Sequence, residues 1–252
     1  MGCEVTRALY ESEDIDLVAA VDPAAEGEDA GQISGIGPLG VTILASLEEA
    51  IREHRPDVMV DFTIPACALQ NIQIALENGV RPVVGTTGLT PEDIEKIRIW
   101  TEDAGISAFI APNFAIGAVL MMQFAQKAAR YMPDVEIIEL HHDRKLDSPS
   151  GTAIMTAQKI ADARQTSPVE EPAKTIAKIP GARGAQLEGI HIHSVRLPGY
   201  VAHQEVIFGG IGQTLTIRHD SIDRRSFMPG VVLAVRRIGE LTGLVIGLDA
   251  LL

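Results

Sequence analysis

Across 252 residues the chain carries 34 acidic against 21 basic side chains, a formal net charge of −13, whereas nucleic acid and anionic membrane surfaces both reward the opposite sign. Two cysteines, Cys3 and Cys67, are too few for a disulfide framework and point to reduced thiols in a cytoplasmic setting. No apolar run approaches the roughly 18 residues that span a bilayer, so the reading is of a globular chain long enough for one or two domains.

Helical periodicity begins almost at once, over Cys3 to Ser12. From Asp16 to Asn113 short apolar strands then alternate with amphipathic helices. Leu17 to Val21 predicts a strand ending at Asp22; Val58 to Phe62 predicts another, followed by a helix over Cys67 to Asn78. Pro82 to Val84 is the next strand, Pro91 to Ala104 a helix with an acidic first turn, and Ile106 to Ile110 a further strand. Such alternation implies parallel βαβ units in a doubly wound sheet, whose ligands sit beyond the carboxyl ends of the strands. Asp22, Gly85-Thr86-Thr87 and the run Ala111, Pro112, Asn113, Phe114 all fall at those ends. A carboxylate placed like Asp22 either hydrogen-bonds the ribose hydroxyls of a dinucleotide or forms a turn before Pro23. Gly85 allows a ring to lie close against the backbone, although an ordinary loop also carries these three residues.

From Phe114 the pattern changes. An apolar helix, Ile116 to Tyr131, leads to VEIIEL at Val135 to Leu140, a short strand that delivers His141 and His142. Consecutive strand residues point to opposite faces, so the two imidazoles do different jobs. Thr152 to Arg164 is helical in period, with Ser150 or Thr152 as N-cap. Free N–H groups at a helix start attract carboxylate or phosphate oxygens, Lys145 adds a full positive charge, and histidine is the natural proton donor near neutral pH. The stretch Glu139 to Ala153 (ELHHDRKLDSPSGTA) therefore reads as an address for a small dianion beside a proton donor, or else as a solvated loop. Asp162 to Pro180 reads as a surface loop or linker. Ile190 to Arg196, Val201 to Phe208 and Gln213 to Arg218 alternate apolar and polar residues as an open mixed sheet does. Ser226 to Leu241 is again helical, with Pro229 and Gly230 near its start. His191 and His193 share a strand face, which suits a metal pair, or one packed and one hydrogen-bonded ring; no acid or thiol stands at a matching spacing, so no metal is assigned.

HHDRKLDSPSGTA closely resembles the signature of the dihydrodipicolinate reductase (4-hydroxy-tetrahydrodipicolinate reductase) family, nicotinamide-dependent enzymes of the diaminopimelate and lysine pathway. VDFT at Val60 to Thr63, VVGTTG at Val83 to Gly88, APNFAIG at Ala111 to Gly117, HSVRLPG at His193 to Gly199, AHQEVIFGG at Ala202 to Gly210 and TIRHD at Thr216 to Asp220 extend the resemblance along almost the whole chain. It implies a Rossmann-like dinucleotide-binding domain, residues 1–113 and 224–252, with an inserted α+β substrate-binding and oligomerisation domain, 114–223, built on an open mixed sheet. The cleft between such domains closes over the ligands, and members are typically homotetramers. The implied cofactor is NADH or NADPH. Asp22 would meet the adenosine ribose, and Pro23 stands where an arginine for a 2′-phosphate is often found, which leans towards NADH. Gly85, Thr86 and Thr87 would lie beside the nicotinamide ribose, with Ala111 to Phe114 on the same cofactor side. Water would leave C4 of the cyclic dicarboxylate, hydride enter at C4, and a proton arrive at C3. The resemblance makes His141 the proton donor and Lys145 its catalytic partner, with His142, Gly151 and Thr152 holding the carboxylates. Ser148 replaces the alanine usual in the signature.

One departure stands at the start. A dinucleotide fold opens with a strand and a GxGxxG-like turn, yet Met1-Gly2 runs directly into the first helix. The expectation is a start placed about 10 to 15 residues late, with Gly2 as the last glycine of that turn; the other account is a degenerate relative that binds the dicarboxylate without turning it over. A third class, a metal-dependent hydrolase using His141, His142, His191 and His193, also stays open at this level.

Overall fold

The computed structural model describes residues 1–164, 176 and 178–252. The expected loop from Asp162 to Pro180 lies for the most part outside the described residues. The chain divides into two compact units, Met1–Ile116 together with Arg224–Leu252, and Gly117–Asp223.

The first unit runs α1 (Gly2–Tyr10), β1 (Ala20–Val21), α2 (Ala30–Ser34), β2 (Ile43–Leu44), α3 (Leu47–His54), β3 (Val58–Asp61), α4 (Pro65–Glu77), β4 (Arg81–Val84), α5 (Pro91–Ala104) and β5 (Ala108–Ile110). The ends of α5 are set by strong local signals. The Thr90 hydroxyl accepts from the Asp93 N–H while the Asp93 carboxylate accepts from the Thr90 N–H, and Gly105 closes the last turn at φ 68°. Ser46 caps α3 by accepting from the Glu49 N–H, a start signal that the sequence reading passed over. β1 is shorter than the expected Leu17 to Val21, because among the described residues only Ala20 and Val21 find ladder partners, Ile43 and Leu44.

The second unit follows from α6 (Ile116–Ala129), through β6 (Asp134–His141), α7 (Gly151–Ala163), β7 (Ala185–Leu187), β8 (Ile190–Arg196), β9 (Ala202–Gly210) and β10 (Gln213–Ser221). Its mixed sheet has the order β10-β9-β6-β8-β7, with β6 and β8 parallel and the other neighbours antiparallel. Burial alternates along β6: Val135, Ile137 and Glu139 are buried on one face, and register sets Phe208, Val206 and Gln204 of β9 beside them. The face is covered by α7, whose Thr156 hydroxyl accepts from the Gln204 amide at 2.8 Å.

The chain returns to the first unit through α8 (Met228–Arg237) and β11 (Leu244–Ile246). The parallel strands there form a four-stranded sheet, β11-β5-β4-β3, and a separate pair, β1-β2. No hydrogen-bonded strand joins the two pieces among the described residues. The larger piece packs on a core of Ile72, Leu76, Val84, Ile97, Ala108 and Ile110. Pro229 and Gly230 open α8 rather than break it. Proline sits in the first turn, where its missing N–H costs nothing, and Gly230 lets the helix reach the Phe114 carbonyl, 2.1 Å from where a β-carbon would stand. Gly230→Ala is therefore expected to cost about 1–3 kcal/mol, read as a lower melting temperature.

Candidate active site

A buried carboxylate organises the second unit's polar cluster. Glu139 is fully buried on the apolar face of β6, a position a charge occupies only when well partnered. Arg196, opposite His141 in the parallel ladder, grips it at both oxygens, 2.7 and 2.9 Å. His141 Nδ1 lies 2.5 Å from Oε2, and the Ser150 N–H donates to Oε1 at 3.3 Å. Burial pushes the Glu139 carboxyl up, but hydrogen bonds from His141, Arg196 and Ser194 outweigh it and bring it down to about 2. The group is thus an anion at neutral pH, an acceptor only.

The loop after β6 is fastened to the same cluster. Arg196 also donates to the Asp147 carbonyl at 2.8 Å, and Ser150, the N-cap of α7, accepts from the Ala153 N–H. Gly151 and Thr152 are the first two residues of α7, so their backbone N–H groups stand at its free end. A β-carbon at Gly151 would meet nothing within 4 Å. His142 Nδ1 is buried with no hydrogen-bond partner among the described residues. Lys145 does not touch the imidazole of His141 through any hydrogen bond described; its amine donates to both Asp147 oxygens, at 2.7 and 2.9 Å, and the ammonium holds the Asp147 carboxyl below its usual range.

The remaining histidines lie elsewhere. His191 and His193 pair with Glu136 and Ile138 of β6, the face opposite Glu139 and His141, and His193 Nε2 is 2.7 Å from Glu136. The four imidazoles of the hydrolase reading are thus divided between two faces. His203 uses both ring nitrogens, Nδ1 on Asp220 at 2.6 Å and Nε2 accepting from the Val201 N–H. His219 packs on Gly117, where a β-carbon would come within 2.6 Å of the ring, and burial lowers its pKa.

In the first unit, Asp61 plays the organising part. Buried at the end of β3, it accepts from the Thr63 N–H and hydroxyl, the Thr86 hydroxyl and the Asn71 amide, all at 2.7–2.9 Å. It so ties the loop after β3 to Gly85-Thr86-Thr87 after β4. The ring lying against Gly85 is that of Phe62, 2.1 Å from a would-be β-carbon, and Phe62 in turn packs on Phe114 with centroids 5.5 Å apart. The Ala111 N–H bonds the Val84 carbonyl, Pro112 is exposed, and Asn113 Oδ1 accepts from the Ala115 N–H at 2.9 Å. Asp22 is exposed at the tip of β1, with Oδ1 accepting from the Ala24 N–H in a tight turn.

Both halves of the chain match one family: residues 1–114 fit the family model described as dihydrodipicolinate reductase, N-terminus, and residues 117–252 the one described as dihydrodipicolinate reductase, C-terminus. The chain belongs to the dihydrodipicolinate reductase family. A 4-hydroxy-tetrahydrodipicolinate reductase of Desulfitobacterium hafniense is 54% identical over 250 residues, 99% of this chain and 93% of that one. Its counterpart in Moorella thermoacetica is 52% identical over 252 residues, 100% of this chain and 94% of the other. The solved structure of a dipicolinate-bound dihydrodipicolinate reductase from Paenisporosarcina sp. TG-14 is 44% identical, with a TM-score of 0.87, covering 99% of this chain and 94% of that chain.

For a dihydrodipicolinate reductase chain, three side chains stand out that the sequence reading left without a role: Glu139, Arg196 and Asp61. A signal for Glu139 was present. It stands two before His141 on an alternating strand, hence on the same face as Val135 and Ile137, where an acid needs a partner. Nothing local points to Arg196, which reaches Glu139 across 57 positions of sequence.

Proposed function

We propose that the chain reduces 4-hydroxy-tetrahydrodipicolinate to tetrahydrodipicolinate with NADH or NADPH, the second unit holding the dicarboxylate and the first the dinucleotide. The observation that carries this is the one sheet face on which His141, its buried anion Glu139 and the start of α7 are fastened together. Bound NAD(P)H supplies the hydride that enters C4. His141 gives the proton that quenches the charge at C3, water having left C4. The backbone N–H groups of Gly151 and Thr152, with His142, take the substrate carboxylates; an orphaned buried nitrogen on His142 suits such a partner. Among the described residues the Lys145 amine is held by the exposed Asp147, a contact worth about 0–1 kcal/mol, so a substrate carboxylate can exchange with it.

The exposed strand ends of the first unit fit a dinucleotide: Asp22 offers a carboxylate oxygen to ribose hydroxyls, and Thr87 lies exposed beside the buried, Asp61-bound Thr86. Pro23 provides no charge for a 2′-phosphate, which supports NADH as the better donor. Asp61→Ala strands four donors and loosens both loops, and is expected to weaken NADH binding about tenfold, roughly 1.4 kcal/mol, in a fluorescence titration. Assembly as a homotetramer and a cytoplasmic setting complete the reading; no helix among the described residues is long and apolar enough to cross a membrane. The reduction itself is tested by NADH absorbance. It falls only when the cyclic substrate is supplied; oxidation without it, or none with it, counts against the reading.

A further inference from the structure

We propose that Glu139 is a positioning residue of the reduction, holding His141 with a proton on Nδ1 so that Nε2 is the nitrogen that delivers the proton to substrate. The proposal rests on His141 being the proton donor. Its basis is geometric: a fully buried carboxylate lies 2.5 Å from Nδ1, and other donors, among them both Arg196 nitrogens and the Ser150 N–H, hold it in place. An ionised carboxylate only accepts, so the facing nitrogen must donate, and the second ring nitrogen alone exchanges protons. In each turnover Nε2 takes a proton from solvent and loses it to C3, while Nδ1 keeps its own. The Glu139 anion meanwhile balances the charge of the doubly protonated ring.

The same carboxylate sets where the acid stands relative to the carboxylate-binding amides. Through the Ser150 N–H it fixes the N-cap of α7, one residue before Gly151. Through Arg196 it fixes the Asp147 carbonyl in the intervening loop. One buried group thus spaces the proton donor from the anion-holding turn, which conveys why a charge stands on the apolar face of β6 at all.

Glu139→Gln tests this, because the amide keeps an oxygen. Arg196 Nη2 and the Ser150 N–H both need an acceptor in the place of Oε1, which turns the NH2 towards His141 and asks Nδ1 to accept instead. The neutral ring then moves its proton to Nε2. In nitrogen-15 NMR of histidine-labelled protein without cofactor, wild-type His141 is expected in the Nδ1–H form and the variant in the Nε2–H form. The kcat of Glu139→Gln is expected to fall at least about tenfold, with KM for the cyclic substrate changed less than about threefold. A wild-type ring protonated at Nε2 overturns the proposal whether or not the variant folds, and so does a variant with wild-type kcat. Loss of kcat with the tautomer unchanged also overturns it, as that is what mere structural damage gives. Should His141→Gln itself retain turnover, the choice of acid is what fails, and the tautomer result stands apart from it.

Discussion

His141→Gln lowers kcat by about 10² to 10⁴, the usual worth of a positioned general acid, while KM for the cyclic dicarboxylate stays near its wild-type value. Glutamine is the informative replacement. Its amide can donate to Glu139 Oε2 as the ring does at 2.5 Å, so the buried carboxylate keeps a partner and the fold its stability. What disappears is the ring nitrogen that gives the proton. The substrate carboxylates are held by His142 and the start of α7, so binding is largely spared, and the loss falls on the step after binding. Steady-state rates at pH 7, with a melting curve on the same sample, separate the outcomes: unchanged kcat removes His141 from the chemistry, and a collapsed melting temperature assigns it to the fold.

Arg196→Ala has the largest expected effect on stability. It leaves Glu139 buried without its two-pronged partner, and breaking a buried pair on one side costs about 3–5 kcal/mol. The penalty depends on pH. Glu139 has a folded-state pKa of about 2, below its ordinary value of 4.5, so its stabilisation is fully present above about pH 4.5 and is lost as pH falls towards about 2. The gap in unfolding free energy between wild type and Arg196→Ala should therefore be widest near neutrality and narrow through that window. A gap constant across it would mean that Arg196 stabilises by packing and not by meeting the anion. Arg196→Lys restores charge but cannot bind both oxygens at once, and is expected to fall between the two. Both variants also free the Asp147 carbonyl, so KM for the dicarboxylate should rise.

Much of the fold was legible because its signals are local. The capping box at Thr90 and Asp93, and Gly105 after α5, fix that helix within the sequence that forms it, and Ile190 to Arg196 matches β8 residue for residue through plain alternation. β1 is shorter than its apolar stretch suggests, since among the described residues Leu17 to Ala19 find no ladder partner. β2 and β11 escaped notice because strands of two and three residues carry too little periodicity to be seen. At the candidate site, the histidine pair, the lysine and the helix start could be read from one fifteen-residue stretch. Their organiser could not: Glu139 was in view, but Arg196 joins it only through the parallel pairing of β6 with β8, a non-local fact. The same holds in the first unit, where Asp61 meets Thr86 across 25 positions.

In the proposed reduction, hydride passes from the nicotinamide to C4 of the substrate ring. Turnover with NADH carrying two deuteriums at its nicotinamide C4, followed by mass and NMR analysis of the product, tests it most directly. One deuterium at C4 of tetrahydrodipicolinate, with the new hydrogen at C3 drawn from solvent, is the predicted result. Deuterium at C3, or product formed with the labelled NADH left unconsumed, would contradict it.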